Sequence, residues 1–192
     1  MTDMEQAMPA RPWAVINRIR GVSSWLRTLI DGTPRPVFRL TEADRPSLFL
    51  HYIALSGSDR RSRFHGRLRY DALLERSRTI DLDAAVILGR CAARRLIAVS
   101  EVLPTSLDGA PAMELAVSVC PHWQHKGIAF DLVQSALDVV WSADLSLPVV
   151  LYTAADNHGM LRLCSRLHGA CELLDGEYRF VFRPGPGGTR PH

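Results

Sequence analysis

The chain has 192 residues, of which 47% are hydrophobic and 22% charged, with a net charge of +3. That length is enough to bury one sizeable core, and the balance of apolar and charged residues excludes disordered and fibrous classes. Lys126 is the only lysine, the other cations being arginine, and no basic stripe interleaved with aromatics is present, so nucleic acid is not an expected partner. Cys91, Cys120, Cys164 and Cys171 lack the paired spacing of a zinc site, no metal is expected, and without a secretory signal the four thiols fit a reducing cytoplasm. No apolar run approaches the ~20 residues needed to span a bilayer.

Met1 to Ala10 reads as a loose tail. From Arg11 to Ile30, Trp13, Ile16, Ile19, Val22 or Trp25, Leu26, Leu29 and Ile30 fall near one helical stripe, with Arg18, Arg20 and Arg27 largely elsewhere. Such a basic amphipathic helix serves for packing on its own domain or on a second subunit of a homodimer, and membrane contact is the less expected alternative. Asp31 to Pro36 breaks it as a linker, and residues 1–35 are set apart from a single domain over 36–183, with a Pro- and Gly-rich tail from 184 to 192.

Val37 to Leu40 reads as a first strand, and Thr41 with Asp44 offers an N-cap to a helix running to about Leu55, with Pro46 early enough to be tolerated. Ser56 to Gly66 is polar and arginine-rich and is expected to be a surface loop, followed by a short helix from Leu68 to Ser77. Ala84 to Arg90 and Leu96 to Leu103 form an antiparallel hairpin, and a turn at Asp108 and Gly109 leads to a third strand from Met113 to Val119. Gly127 to Trp141 is helical, Pro148 to Thr153 a strand, Asn157 to Leu167 helical, and Ala170 to Leu174 and Tyr178 to Phe182 are closing strands. The order predicts an α+β sheet covered by helices.

The segment from Val117 to Ala129 joins a strand to a helix. A helix N-terminus presents unpaired N–H groups and a positive dipole end, so the turn Gln124, His125, Lys126, Gly127, Ile128, Ala129 suits an anion. Gly127 lets the backbone come close, Ala129 is nearly as small, and Lys126 adds a mobile ammonium. The spacing is neither that of a P-loop nor of a dinucleotide fingerprint. It resembles the acetyl-CoA signature of the GNAT superfamily, in which Arg or Gln is followed by x, x, Gly, x and Gly or Ala, matched here at Gln124, Gly127 and Ala129. The later strand at Val149 to Tyr152 followed by Asn157, Met160, Leu163 and Leu167 is similar to the family's second segment.

The resemblance implies a mixed, mostly antiparallel sheet of about six or seven strands, splayed between the fourth and fifth, with helices on both faces. Pantetheine would enter that gap, pairing with backbone near Val117 and Val119. Amides from Gln124 to Ala129 would hold the pyrophosphate, and Asn157 would orient acetyl-CoA. The reaction implied is direct transfer of an acetyl group to a primary amine, either a protein lysine or a small amine. The other reading is a GNAT-fold module that binds acyl-CoA as a sensor without turnover.

Transfer to an amine needs a base, a polarised carbonyl and a proton for the leaving thiolate. Glu114 stands alone among Met113, Leu115, Ala116 and Val117, and the strand period puts Glu114, Ala116 and Ser118 on one face and Leu115, Val117 and Val119 on the other. The run from Glu114 to Val119 also resembles bacterial protein lysine acetyltransferases, whose glutamate on this strand is the proposed base; His122 is a reserve. Many relatives carry a tyrosine seven residues after the asparagine, where this chain has Cys164. A thiol, with a reference pKa of about 8.5, can donate a proton, but packing on an apolar helix face is the alternative. His168 and Tyr152 are further candidates for the acid. The resemblance leaves acceptor choice to the Ser56 to Gly66 segment and its neighbours.

Overall fold

The computed structural model describes residues 36–142 and 147–185. The expected helix at Arg11 to Ile30 and residues 186–192 of the expected tail lie outside them. Among the described residues no helix is long and apolar enough to cross a membrane.

The elements are β1 (Phe38–Arg39), α1 (Arg45–Ala54), α2 (Gly57–Phe64), α3 (Tyr70–Thr79), β2 (Val86–Ala92), β3 (Arg95–Leu107), β4 (Ala110–Val119), α4 (Ile128–Ser142), β5 (Val149–Ala154), α5 (His158–Arg166), β6 (Ala170–Leu174) and β7 (Glu177–Phe182). They build a seven-stranded sheet in the order β1-β2-β3-β4-β5-β7-β6, antiparallel except between β4 and β5. The sequence expectation of a mixed, mostly antiparallel sheet holds.

Three hairpins turn on adjacent residues with positive φ: Ala93 and Arg94, Asp108 and Gly109, and Asp175 and Gly176. Both Asp-Gly pairs carry the turn chemistry that a tight hairpin demands, whereas Ala93 and Arg94 adopt the same conformation without that local preference. Before α1, the Asp44 carboxylate accepts hydrogen bonds from Thr41 N and Oγ1, each at 2.9 Å, so the expected cap forms, through a 3-10 turn at Glu42–Asp44.

One expectation fails. Ser56 to Gly66 is largely helix α2 rather than a loop, so three helices, not two, separate β1 from β2. Its start is set by polar capping: Ser56 Oγ accepts from Asp59 N at 3.0 Å and donates to Asp59 Oδ2 at 2.6 Å. Its end is set by His65, left-handed at φ 50°. No α2 residue is buried, so the apolar periodicity that reveals an amphipathic helix is absent.

Two cores form on the two faces of the sheet. On one, α4 packs Ile128, Leu132, Val133, Ala136 and Val140 against Val86, Leu88, Leu115, Val119, Leu151 and Phe180, with Cys164 of α5 in the same cluster. On the other, Leu48 and Tyr52 of α1 and Leu73 of α3 cover Ile87, Leu96 and Val99. The alternation along β4 follows: Leu115, Val117 and Val119 face α4, leaving Glu114, Ala116 and Ser118 toward the α1 side.

Candidate active site

Strands β4 and β5 pair only over Met113 with Val149 and Glu114 with Val150. Beyond that rung the two strands part, and a cleft of about 1080 Å³ opens between them. Its walls come from β4 from Glu114 to Val119, β5 from Leu151 to Ala154, the turn before α4, the start of α5, and α2. Glu114 therefore stands at the root of a fork, on the last paired rung.

The turn that closes the fork is built by its backbone. His125 and Gly127 both have positive φ, 59° and 78°. A Cβ at Gly127 would meet nothing within 4 Å, so glycine is favoured there by its left-handed conformation rather than by crowding, and the space over it is open. Helix α4 makes its first bond from Asp131 N to Gly127 O at 3.1 Å, which leaves the N–H groups of Ile128, Ala129 and Phe130 without helical acceptors. An aligned set of amides at the positive end of a 15-residue helix suits a pyrophosphate. The open rung, the free amides and the glycine together fit a CoA-type ligand laid along β4.

Val117, Val119, Gln124, His125, Gly127, Ile128, Ala129 and Asn157 all line the cleft. Two serve in ways that sequence does not indicate. Asn157 caps α5 by accepting from Met160 N at 3.2 Å through Oδ1, which leaves its amide NH₂ for a ligand. The Gln124 amide donates to Val119 O at 3.1 Å and to Asp59 Oδ2 at 3.2 Å, and its backbone N–H goes to Pro121 O, so the side chain fastens the turn to α2. Lys126 is exposed with its Nζ 4.8 Å from the centre of the Trp123 ring, and it is not among the cleft-lining residues.

Cys164 is not brought to the site. It is fully buried in the α4-side core, outside the cleft lining, and burial pushes its thiol up to about 12. The geometry favours the packing alternative, because an acid must reach the leaving sulfur. Tyr152 does line the cleft, whereas His122 and His168 do not. His168 sits at φ 57° in the turn after α5 and donates its N–H to Ser165 O at 3.1 Å.

Sequence reasoning missed the polar cluster beneath α2. Glu101 on β3 is fully buried and meets Tyr52 of α1 at 2.9 Å, Arg76 of α3 at 2.7 Å and Arg63 of α2 in a short ion pair. Burial pushes its carboxyl up, but the Arg63 and Arg76 charges and hydrogen bonds outweigh this and hold it below the usual range. The available signal was the one that marked Glu114, a lone carboxylate in an apolar strand. His51 of α1 is likewise buried and neutral: Nδ1 donates to Leu96 O at 3.2 Å, so Nε2 accepts from Ser118 Oγ at 2.8 Å, and burial pushes the ring down to about 4.

No protein-family model matches the chain, and no curated protein sequence is significantly similar to it. Solved structures do match. The GNAT domain of PAT from S. lividans is similar with a TM-score of 0.65 and 21% identity, over 77% of this chain and 89% of that one. Spermidine N-acetyltransferase from Vibrio cholerae, in complex with CoA and spermine, is similar with a TM-score of 0.59 and 20% identity, over 77% and 94%. Arabidopsis thaliana NAA60, in complex with acetyl-CoA, is similar with a TM-score of 0.57 and 14% identity, over 79% and 98%. The chain has the GNAT acetyltransferase fold.

Proposed function

We propose that the chain is an acetyl-CoA-dependent N-acetyltransferase acting on a primary amine, a protein lysine or a small molecule, by direct transfer. The observation that carries this is the position of Glu114: a carboxylate at the root of the β4 and β5 fork, lining the same cleft as the anion-binding turn. Acetyl-CoA is the acyl donor, with its pyrophosphate on the turn from Gln124 to Ala129, its pantetheine beside Val117 and Val119, and Asn157 orienting it. An ammonium group has no lone pair to attack with, so Glu114, directly or through a water, removes its proton. The amine nitrogen then bonds to the thioester carbon, the C–S bond breaks, and the departing thiolate takes a proton. Tyr152 is the phenol that lines the cleft and is the candidate donor.

Release of free thiol from acetyl-CoA, followed over a panel of amines, tests the reading. Steady CoA release by the native chain, reduced by about 10²-fold or more in Glu114→Gln with acetyl-CoA affinity kept within twofold, is the expected result. Tight acetyl-CoA binding with no turnover on any acceptor supports the sensor reading instead.

A further inference from the structure

We propose that Arg162 and Arg166 of α5, with the Phe130 ring of α4, form a subsite for the 3′-phosphate of coenzyme A, so that the donor is a free acyl-CoA and not a thioester on a carrier protein's phosphopantetheine. This rests on the acetyl-transfer reading above and names its donor class. Phe130, Arg162 and Arg166 all line the cleft. The Arg166 guanidinium lies 4.7 Å from the centre of the Phe130 ring, and the Phe130 N–H is one of the amides that α4 leaves free for the pyrophosphate. Arg166 is thereby held beside the anion-binding turn.

The charge around the pair points the same way. Arg162 and Arg166 stand four residues apart, so they project from one face of α5, where like charges repel. Among the described residues neither has an ion pair, and α5 itself carries no acid. Arg166 suits the negative end of its helix, but Arg162, in the middle, gains nothing there. The acids nearby are engaged or distant. Asp131 is paired with Arg90 at 2.6 Å, Asp59 is bound by Ser56 and Gln124, and Glu177 meets His65 at 3.5 Å. Glu114 lies five residues of strand, about 17 Å, before Val119, and Asp156 stands ahead of the α5 cap, more than one turn from Arg162.

Connectivity sets which phosphate reaches them. Coenzyme A carries its 3′-phosphate on the ribose whose 5′-oxygen bears the pyrophosphate, only a few bonds away. With the pyrophosphate on the amides of Ile128, Ala129 and Phe130, the ribose comes to the edge of α4 that α5 flanks. Two guanidinium forks there offer planar donors that match phosphate oxygens. A carrier protein's phosphopantetheine has one phosphate for the turn and none for the arginines.

Calorimetric titration of the full chain with CoA and with dephospho-CoA, which differ only in the 3′-phosphate, tests the subsite. CoA is expected to bind at least ~10-fold more tightly, in line with charge-assisted hydrogen bonds. In the double variant Arg162→Gln, Arg166→Gln that ratio should fall to near one, with dephospho-CoA bound within about twofold of its affinity for the native chain. Arginines that serve only to pack α5 on α4 would instead weaken both ligands alike. Equal affinities in the native chain, or an undiminished ratio in the double variant, would overturn the subsite. Should the double variant fail to fold, Arg162→Gln, which leaves the Phe130 contact in place, decides: a reduced ratio supports the subsite and an unchanged one removes it. Binding of neither ligand by the native chain removes the acetyl-CoA reading and the subsite together, whereas equal binding of both removes the subsite alone.

Discussion

Glu114, the expected base, and Cys164, for which packing was the alternative to a role as acid, are separated by their surroundings. Glu114 is half-buried at a cleft wall, while Cys164 is fully enclosed by Met160, Phe180 and the rest of the α4-side core. Cys164→Ala should therefore lower stability by about 1–2 kcal/mol, read as a drop in thermal midpoint, and leave kcat within twofold. A kcat loss comparable to that of Glu114→Gln, without loss of fold, would return the thiol to the chemistry. A strand's period of two made the direction of Glu114 legible, but whether Cys164 faces core or cleft depends on which side of α5 meets the sheet. Only the packing of β5, β7 and α5 decides that.

At the level of elements, α1 is fastened to β4 by a neutral histidine. The folded-state pKa of His51 is depressed to about 4 from 6.5 by burial, so the unfolded chain takes up a proton first as the pH falls. The contribution of His51 to stability is complete above pH ~6.5 and is lost as the pH falls toward 4, by up to about 3 kcal/mol. Urea unfolding between pH 7 and 4 should show this slope in the native chain and a flatter one in His51→Gln; identical slopes would contradict the assignment. Glu101 adds a further loss at lower pH, since its folded pKa lies below that of the unfolded chain. Helix α2 illustrates why some elements were not legible. It has no apolar stripe and is placed by Asp59 to Gln124, Arg63 to Glu101 and His65 to Glu177, contacts between residues far apart in the chain.

At the scale of the molecule, hydrophobic periodicity made most strands readable, and turn chemistry marked the turn at Asp108 and Gly109. The parting of β4 from β5 was readable only through resemblance, because nothing local in Val149 to Ala154 says where pairing with β4 stops. The described residues, 36–142 and 147–185, already supply a seven-stranded sheet, both cores and the walls of a cleft. A chain beginning at residue 36 should thus fold cooperatively and bind acetyl-CoA within threefold of the full chain, by calorimetry. Loss of cooperative unfolding in that truncation would show that residues 1–35 belong to the domain.

Calorimetric titration of acetyl-CoA into the native chain and into Ala129→Asp tests whether the turn before α4 holds the pyrophosphate. One site per chain is expected in the native protein, with an affinity at least ~10-fold weaker once a carboxylate stands among the phosphate-binding amides. No binding by the native chain, or equal affinity in a folded Ala129→Asp variant, would contradict it.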